Sequence, residues 1–240
     1  MNTEKLKEYI LGLLFPRRCP ACHDIVLSRG SIICPGCERK FSRVSDPVCL
    51  KCGKEINSPG RNLCYDCEKG PKPFEANTAV FNYDKTARES MIYFKYRHRP
   101  EYADYYVREL LRFRGDVIRG FAPGLIIPVP VHKSRLTDRG YNQAAEIAER
   151  LGRELSVPVR TDLLLRTKRT EAQKSLGASG RERNLEGAFS CEADLRGLKS
   201  VLLVDDIYTT GSTLSACARA LKNAGAERVY CATVCIGRDS

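Results

Sequence analysis

The sequence predicts a small cysteine-rich module followed by an α/β domain whose mainly parallel sheet is flanked by helices. Three observations predict this. Four Cys-x-x-Cys pairs recur every fifteen residues from Cys19 to Cys67. From residue 79 onward, short β-branched runs alternate with stretches of helical periodicity, the pattern of a parallel sheet. Residues 201–204 form an apolar run too short for a buried helix, and it ends on Asp205-Asp206 and a hydroxyl-rich turn. Such a run suits a central strand covered on both faces, with a site at its C-terminal end.

Composition sets the bounds. At 240 residues the chain can hold one ordinary domain and a small second one, and a hydrophobic fraction of 42% is ample for a core. A net charge of +11 points to anionic partners, either a polyphosphate or a nucleic acid, and does not choose between them. Near the N-terminus, residues 4–15 carry a short apolar run mixed with acids and stopped by Pro16. The run is too short to span a membrane and no small-residue cleavage site follows it, so a short helix in a cytoplasmic protein with no membrane segment is expected. Arg18 directly before Cys19 also argues against lipoprotein processing.

Twelve cysteines would suit a secreted disulfide scaffold, but the CxxC grouping argues for metal in a reducing compartment. Two residues between thiolates let both sulfurs reach one tetrahedral ion, and two such knuckles close a structural Cys₄ site. Residues 23–33 and 53–63 each look like two short strands around a turn, whereas 38–47 reads as a connector. The expectation is two structural zinc sites with sequential pairing: Cys19, Cys22, Cys34 and Cys37 on one ion, and Cys49, Cys52, Cys64 and Cys67 on the other. A cross-braced pairing of the first and third knuckles is the alternative. His23 gets a surface role, because four thiolates already fill the site. Cys191, Cys217, Cys231 and Cys235 are isolated and read as small buried apolar residues. Gly70-Pro71-Lys72-Pro73 closes the module. The chain thus divides into a short N-terminal helix (1–18), a double zinc ribbon (19–72) and the α/β domain (73–240).

Within that domain, 79–83 reads as a strand and 87–96 as a helix running into the basic patch Lys95, Tyr96, Arg97 and Arg99. Tyr93, Phe94, Tyr102, Tyr105 and Tyr106 interleave with these charges. The pattern is compatible with bases stacking beside a phosphate-binding surface, but helical spacing favours the duller reading of several of these aromatics packed into the core. Residues 125–131 form a strand with a rigid Pro-Val-Pro bend. The loop after it, 132–143, carries Lys133, Arg135 and Arg139, a cation set suited to a pyrophosphate, before a helix over 144–151. His132 has no partner carboxylate evident and is a weak candidate for a catalytic base. A strand over 163–165 precedes a long basic loop, 166–184, with Arg166, Lys168, Arg169 and Arg181. Such a loop is what a mobile lid over an anionic substrate needs, though it equally fits a solvated loop or one that binds nucleic acid. The last strand covers 229–234.

The strand at 201–204 carries the most specific chemistry. Thr209, Thr210, Gly211, Ser212 and Thr213 lead into a helical pattern over 214–221, and small hydroxylated residues at a helix start can wrap a phosphate. Asp205 and Asp206 would repel phosphate but suit sugar hydroxyls or a bridging Mg²⁺. Together they fit a sugar phosphate. The duller alternative is a hydroxyl that merely caps the helix. A Walker loop is excluded, since no GxxxxGK[ST] occurs.

This stretch resembles the ribose-phosphate motif of type I phosphoribosyltransferases, which bind 5-phosphoribosyl-1-pyrophosphate (PRPP). The resemblance implies that Asp205 and Asp206 hold the ribose hydroxyls with Mg²⁺, and that 209–213 hold the 5′-phosphate. Adding Pro128-Val-Pro130, Arg139-Gly-Tyr-Asn-Gln143, Gln173 with Leu176, Arg181-x-x-Asn184 and Ala188-Phe189, nearly the whole chain is similar to the ComF/GntX family, a double zinc ribbon fused to a phosphoribosyltransferase-like domain. Tyr141 stands where that family more often has Phe. The resemblance implies PRPP as ligand and a cytoplasmic part in natural competence, handling incoming single-stranded DNA beside DNA-uptake proteins. Phosphoribosyltransferase-type chemistry and a non-catalytic, zinc-containing nucleic-acid adaptor that retains a PRPP or phosphate site are the two functions that follow.

Overall fold

The structure, a computed structural model, describes residues 16–28, 30–56, 60–167 and 187–237. Its centre is a parallel sheet of four strands, β1 (Asn77–Asn82), β2 (Leu125–Pro128), β5 (Val201–Tyr208) and β6 (Val229–Ile236), in the order β1-β6-β5-β2. Two shorter strands, β3 (Leu164–Arg166) and β4 (Phe189–Cys191), pair antiparallel in a separate sheet. The strand expected over 163–165 therefore exists but does not extend the main sheet, because the chain doubles back to pair with 189–191.

Alternation along the strands loads both faces of the main sheet. Val201 and Leu203 of β5 join a core with Ile127, Leu214, Cys217 and Leu221, whereas Leu202 and Val204 join another with Phe81, Phe94, Tyr105 and Leu151. That two-sided burial explains why β5 reads as an unbroken apolar run.

The helices are α1 (Tyr65–Lys69), α2 (Lys85–Tyr96), α3 (Tyr102–Gly120), α4 (Lys133–Arg139), α5 (Gln143–Leu155) and α6 (Ser212–Asn223). Local chemistry sets their starts: Asp84 accepts from Ala87 N–H at 2.8 Å to cap α2, and Asn142 accepts from Ala144 N–H at 3.0 Å to cap α5. Two helices depart from expectation. Residues 133–139 form α4 rather than a loop, started by His132, whose Nδ1 accepts from Ser134 N–H at 3.2 Å. His132 is thus a helix cap. The long helix α3, although amphipathic, was not foreseen behind its charges. It buries Tyr102, Tyr105 and Tyr106 completely, and Phe94 of α2 with them, so the packing reading holds for these four aromatics.

The cysteine module is knit into this core. The hairpins expected over 23–33 and 53–63 do not form among the described residues; isolated bridges instead span two of the knuckles, Arg18 to Ile25 and Val48 to Glu55. The connector does more than predicted: Arg43 bridges antiparallel to Phe81, and Val44 N–H donates to Val80 O at 2.9 Å, covering the β1 edge of the sheet. Behind it, Arg43 donates to the fully buried Glu109 of α3 at 2.6 Å. The first cysteine set packs with the α2 and α3 core, and the second with the α6 core on the opposite face. His23 is not a surface residue. Its ring stacks on Tyr93 with centroids 3.6 Å apart, and its Nδ1 lies 3.0 Å from Tyr102 Oη. The expected helix over 1–18 lies almost wholly outside the described residues. No helix among the described residues is long and apolar enough to cross a membrane.

Candidate functional site

The C-terminal end of β5 opens into a cavity of about 260 Å³ lined by both aspartates, Lys95, Arg135, Arg139, Arg166, Thr209 and Thr213, among others. Strand alternation sends the two carboxylates in different directions. Asp206, buried, meets Lys95 Nζ of α2 at 2.7 Å. Asp205 keeps some access to the cavity and accepts from Asp206 N–H at 2.8 Å. Burial, and then the adjacent Asp206 charge, push the Asp205 carboxyl up to about 7, only partly opposed by Lys95 and Arg166. Burial disfavours the Lys95 charge as well, but the Asp206 carboxylate outweighs it and holds that ammonium above its ordinary value.

Lys95 was expected on a basic surface patch with Tyr96, Arg97 and Arg99, and the four do not form one surface. Lys95 turns inward to Asp206, because helix spacing points it at the strand end. Tyr96 accepts from Arg139 Nη2 at 2.8 Å and lies under that guanidinium at 4.7 Å. Arg99 faces Glu101 at 3.8 Å. The exposed Arg97 remains outside these pairs.

Of the expected pyrophosphate cations, Arg139 is buried and also donates to Gln143 Oε1 at 2.9 Å, so it is held rigidly. Arg135 and Arg166 lie close enough that burial, followed by the Arg135 charge, lowers Arg166 from its ordinary value. Two guanidiniums converging on one small cavity suit a polyanion. Lys133 is exposed and does not line the cavity. Lys168, Arg169 and Arg181, with most of the expected lid, lie outside the described residues. Sequence reading missed the contributions of Lys95, Asn142 and Gln143 to this site; the Asn142 cap was the signal that could have placed the last two.

The turn between β5 and α6 is built around Gly211. Its φ is +76°, and a Cβ there would sit 2.4 Å from Tyr208 Oη, so only glycine fits. Gly211 offers no side chain to cap α6, and Thr210 Oγ1 pairs with Ser212 Oγ at 2.8 Å and accepts only a long 3.5 Å bond from Ser212 N–H. The start of a twelve-residue helix is therefore left for an anion, with Thr209, Thr210, Ser212 and Thr213 around it. Behind the turn, Tyr208 packs edge-on to Phe74, and burial, followed by the charges of Cys52, Cys67 and Cys64, raises its phenol.

The thiols group between successive knuckles. Cys49, Cys52, Cys64 and Cys67 lie within 4.8 Å of one another and are all buried, and Cys19, Cys22 and Cys34 form a second such group. Cys37, also buried, neighbours Cys19 and Cys22; burial and then the Cys19 charge push it up to about 11. The sulfurs of Cys52 and Cys64 are 3.6 Å apart, those of Cys22 and Cys34 3.9 Å. A tetrahedral zinc with Zn–S near 2.3 Å spaces its sulfurs about 3.8 Å, so both sets fit the ion. Without a cation, Cys49 is held low by hydrogen bonds from Cys52 and Cys67 while Cys52 is driven up, as expected of thiols that cannot all ionise together.

Comparison with known proteins follows the same division. Residues 10–68 match the double zinc ribbon domain, and residues 136–240 match the phosphoribosyl transferase domain. Together with the cysteine groups, the first match supports zinc. The chain is 30% identical over 220 residues to "Competence protein F" of Haemophilus influenzae, covering 90% of this chain and 95% of that one. It is 31% identical to "DNA utilization protein YhgH" of Salmonella typhi over 93% of this chain and 98% of that one. A purine phosphoribosyltransferase structure from Pyrococcus horikoshii Ot3 is similar over 55% of this chain and 73% of its own, at 20% identity and a TM-score of 0.37.

Proposed function

The chain belongs to the ComF/GntX family, a double zinc ribbon joined to a phosphoribosyltransferase-type domain, and on that premise we propose that it binds PRPP with Mg²⁺ at the end of β5. The observation that carries this is one cavity bringing together the acid pair, converging arginines and an uncapped helix start behind Gly211. Asp205 and Asp206 take the ribose hydroxyls and the ion, 209–213 take the 5′-phosphate, and Arg135, Arg139 and Arg166 neutralise the pyrophosphate. Lys168, Arg169 and Arg181 complete the cation set, whereas Lys133 stays outside it. Lys95 holds Asp206 in place, and the acid pair would hold Mg²⁺.

The chemistry proposed is phosphoribosyl transfer, in which pyrophosphate leaves C1 and an acceptor adds. The zinc sites do structural work, since four thiolates leave no open position. The divisions 1–18, 19–72 and 73–240 and a cytoplasmic location belong to the same reading. A competence-related role is supported by the relatives' names, and we extend it to the handling of incoming single-stranded DNA. The high positive charge favours that extension, and it also supports the second reading, an adaptor that keeps the ligand without the chemistry. Pyrophosphate release from PRPP, assayed across nucleobase and amine acceptors with and without single-stranded DNA, separates the two. Release that requires Asp205 and Asp206 is expected; PRPP binding without release under any condition leaves the adaptor.

A further inference from the structure

We propose that Tyr208 is a positioning residue that seats the 5′-phosphate turn on the second cysteine set, so that zinc at that set and a sugar 5-phosphate at the turn favour each other's binding. This rests on the sugar-phosphate reading above and gives a role to a side chain which that reading leaves unused.

Tyr208 ends β5 and immediately precedes Thr209, the first residue of the turn. Its ring is buried and lies flush against the turn: a Cβ on Gly211 would sit 2.4 Å from its Oη, 2.7 Å from Cζ and 2.8 Å from Cε2. The same ring meets the fully buried Phe74 edge-on, with centroids 6.5 Å apart and an interplanar angle of 89°.

Phe74 leads on to the cysteines. Lys51, inside the Cys49–Cys52 knuckle, holds its Nζ 5.9 Å from the Phe74 ring centroid. Phe74 and Tyr208 share one buried cluster with all four cysteines of the second set and with Leu214 of α6. Hydrogen bonds tie the knuckle to the sheet: Asn77 N–H donates to Lys51 O and Asn77 Nδ2 to Cys52 O, both at 2.8 Å. A Cβ on Gly53 would lie 2.7 Å from Asn77 O, so knuckle and strand approach as closely as glycine permits.

Four sulfurs held on one tetrahedral ion are fixed relative to one another, and a close-packed core passes that constraint on through Phe74 to Tyr208. The turn above Tyr208 needs this, because backbone N–H groups and hydroxyls must be held in place to wrap a phosphate. Coupling between two sites is reciprocal, so a phosphate at the turn must raise zinc affinity by the factor that zinc raises phosphate affinity. The first cysteine set packs in the other cluster, with α2 and α3, and serves as an internal reference.

The test is an equilibrium competition titration of the zinc-loaded full chain against a chelating indicator, with and without saturating ribose 5-phosphate, while circular dichroism follows the fold. In wild type, ribose 5-phosphate should raise the affinity of one of the two ions at least fivefold and leave the other unchanged. Tyr208→Leu should remove that gain, and Tyr208→Phe, which keeps the ring against Gly211 and Phe74, should retain most of it. Phe74→Leu, one step nearer the cysteines, should remove it too, so the result does not hang on one variant folding. A tyrosine that only fills the core would leave the gain intact in every folded variant. Ribose 5-phosphate binding to wild type with neither zinc affinity changed, an equal gain at both ions, or a full gain in Tyr208→Leu would overturn the proposal and leave the sugar-phosphate reading standing. Failure of wild type to bind either ribose 5-phosphate or PRPP in a calorimeter contradicts that reading and removes the coupling with it.

Discussion

Asp205 is the residue at which pH dependence should appear. Its folded carboxyl titrates near 7, well above the ordinary carboxylate value. The folded state therefore holds a proton that the unfolded chain has released, and stability falls as pH rises from about 4 through 7. Asp205→Asn removes the buried charge. Its melting temperature should exceed wild type by a margin that grows across that window and levels off above it, as differential scanning calorimetry would show; a constant margin would contradict this. Gly211→Ala meets Tyr208 and adds about 1–2 kcal/mol of left-handed backbone strain, so lower stability and lost phosphate affinity are expected, measured by melting and by titration. The acid pair and the hydroxyl turn were legible because they are contiguous. The Lys95–Asp206 pair was not, since it depends on how α2 crosses the end of β5.

At the scale of elements, the cysteine module and the α/β domain share their cores, so neither should melt alone. Zinc analysis should give two ions per chain, and chelation should lower a single cooperative transition rather than remove a separate one. Arg43→Ala leaves Glu109 fully buried without its closest partner and should cost about 3 kcal/mol in chemical denaturation, much of it recovered by adding Glu109→Gln. Most strands and helices were legible from periodicity. The exceptions have physical reasons: α3 hides its apolar stripe among arginines and buried tyrosines, and α4 occupies a segment whose charges read as a loop. The module's role in covering the β1 edge comes from a pairing of Arg43 with Phe81 that no local pattern records.

For the whole molecule, part of the +11 charge gathers in two places: arginines converging on the β5 cavity and arginines drawn out along α3 and α5. Composition announced anionic partners without dividing them. The division follows from topology, which gathers one set around a strand end and lines the other along two helices. The central claim is that Asp205 and Asp206 hold a ribose phosphate with Mg²⁺, and titration calorimetry of PRPP with Mg²⁺ tests it most directly. Wild type should bind, and at pH 7 should release protons as Asp205 ionises, while Asp205→Ala with Asp206→Ala should show no binding. Unchanged affinity in that double variant would contradict the claim.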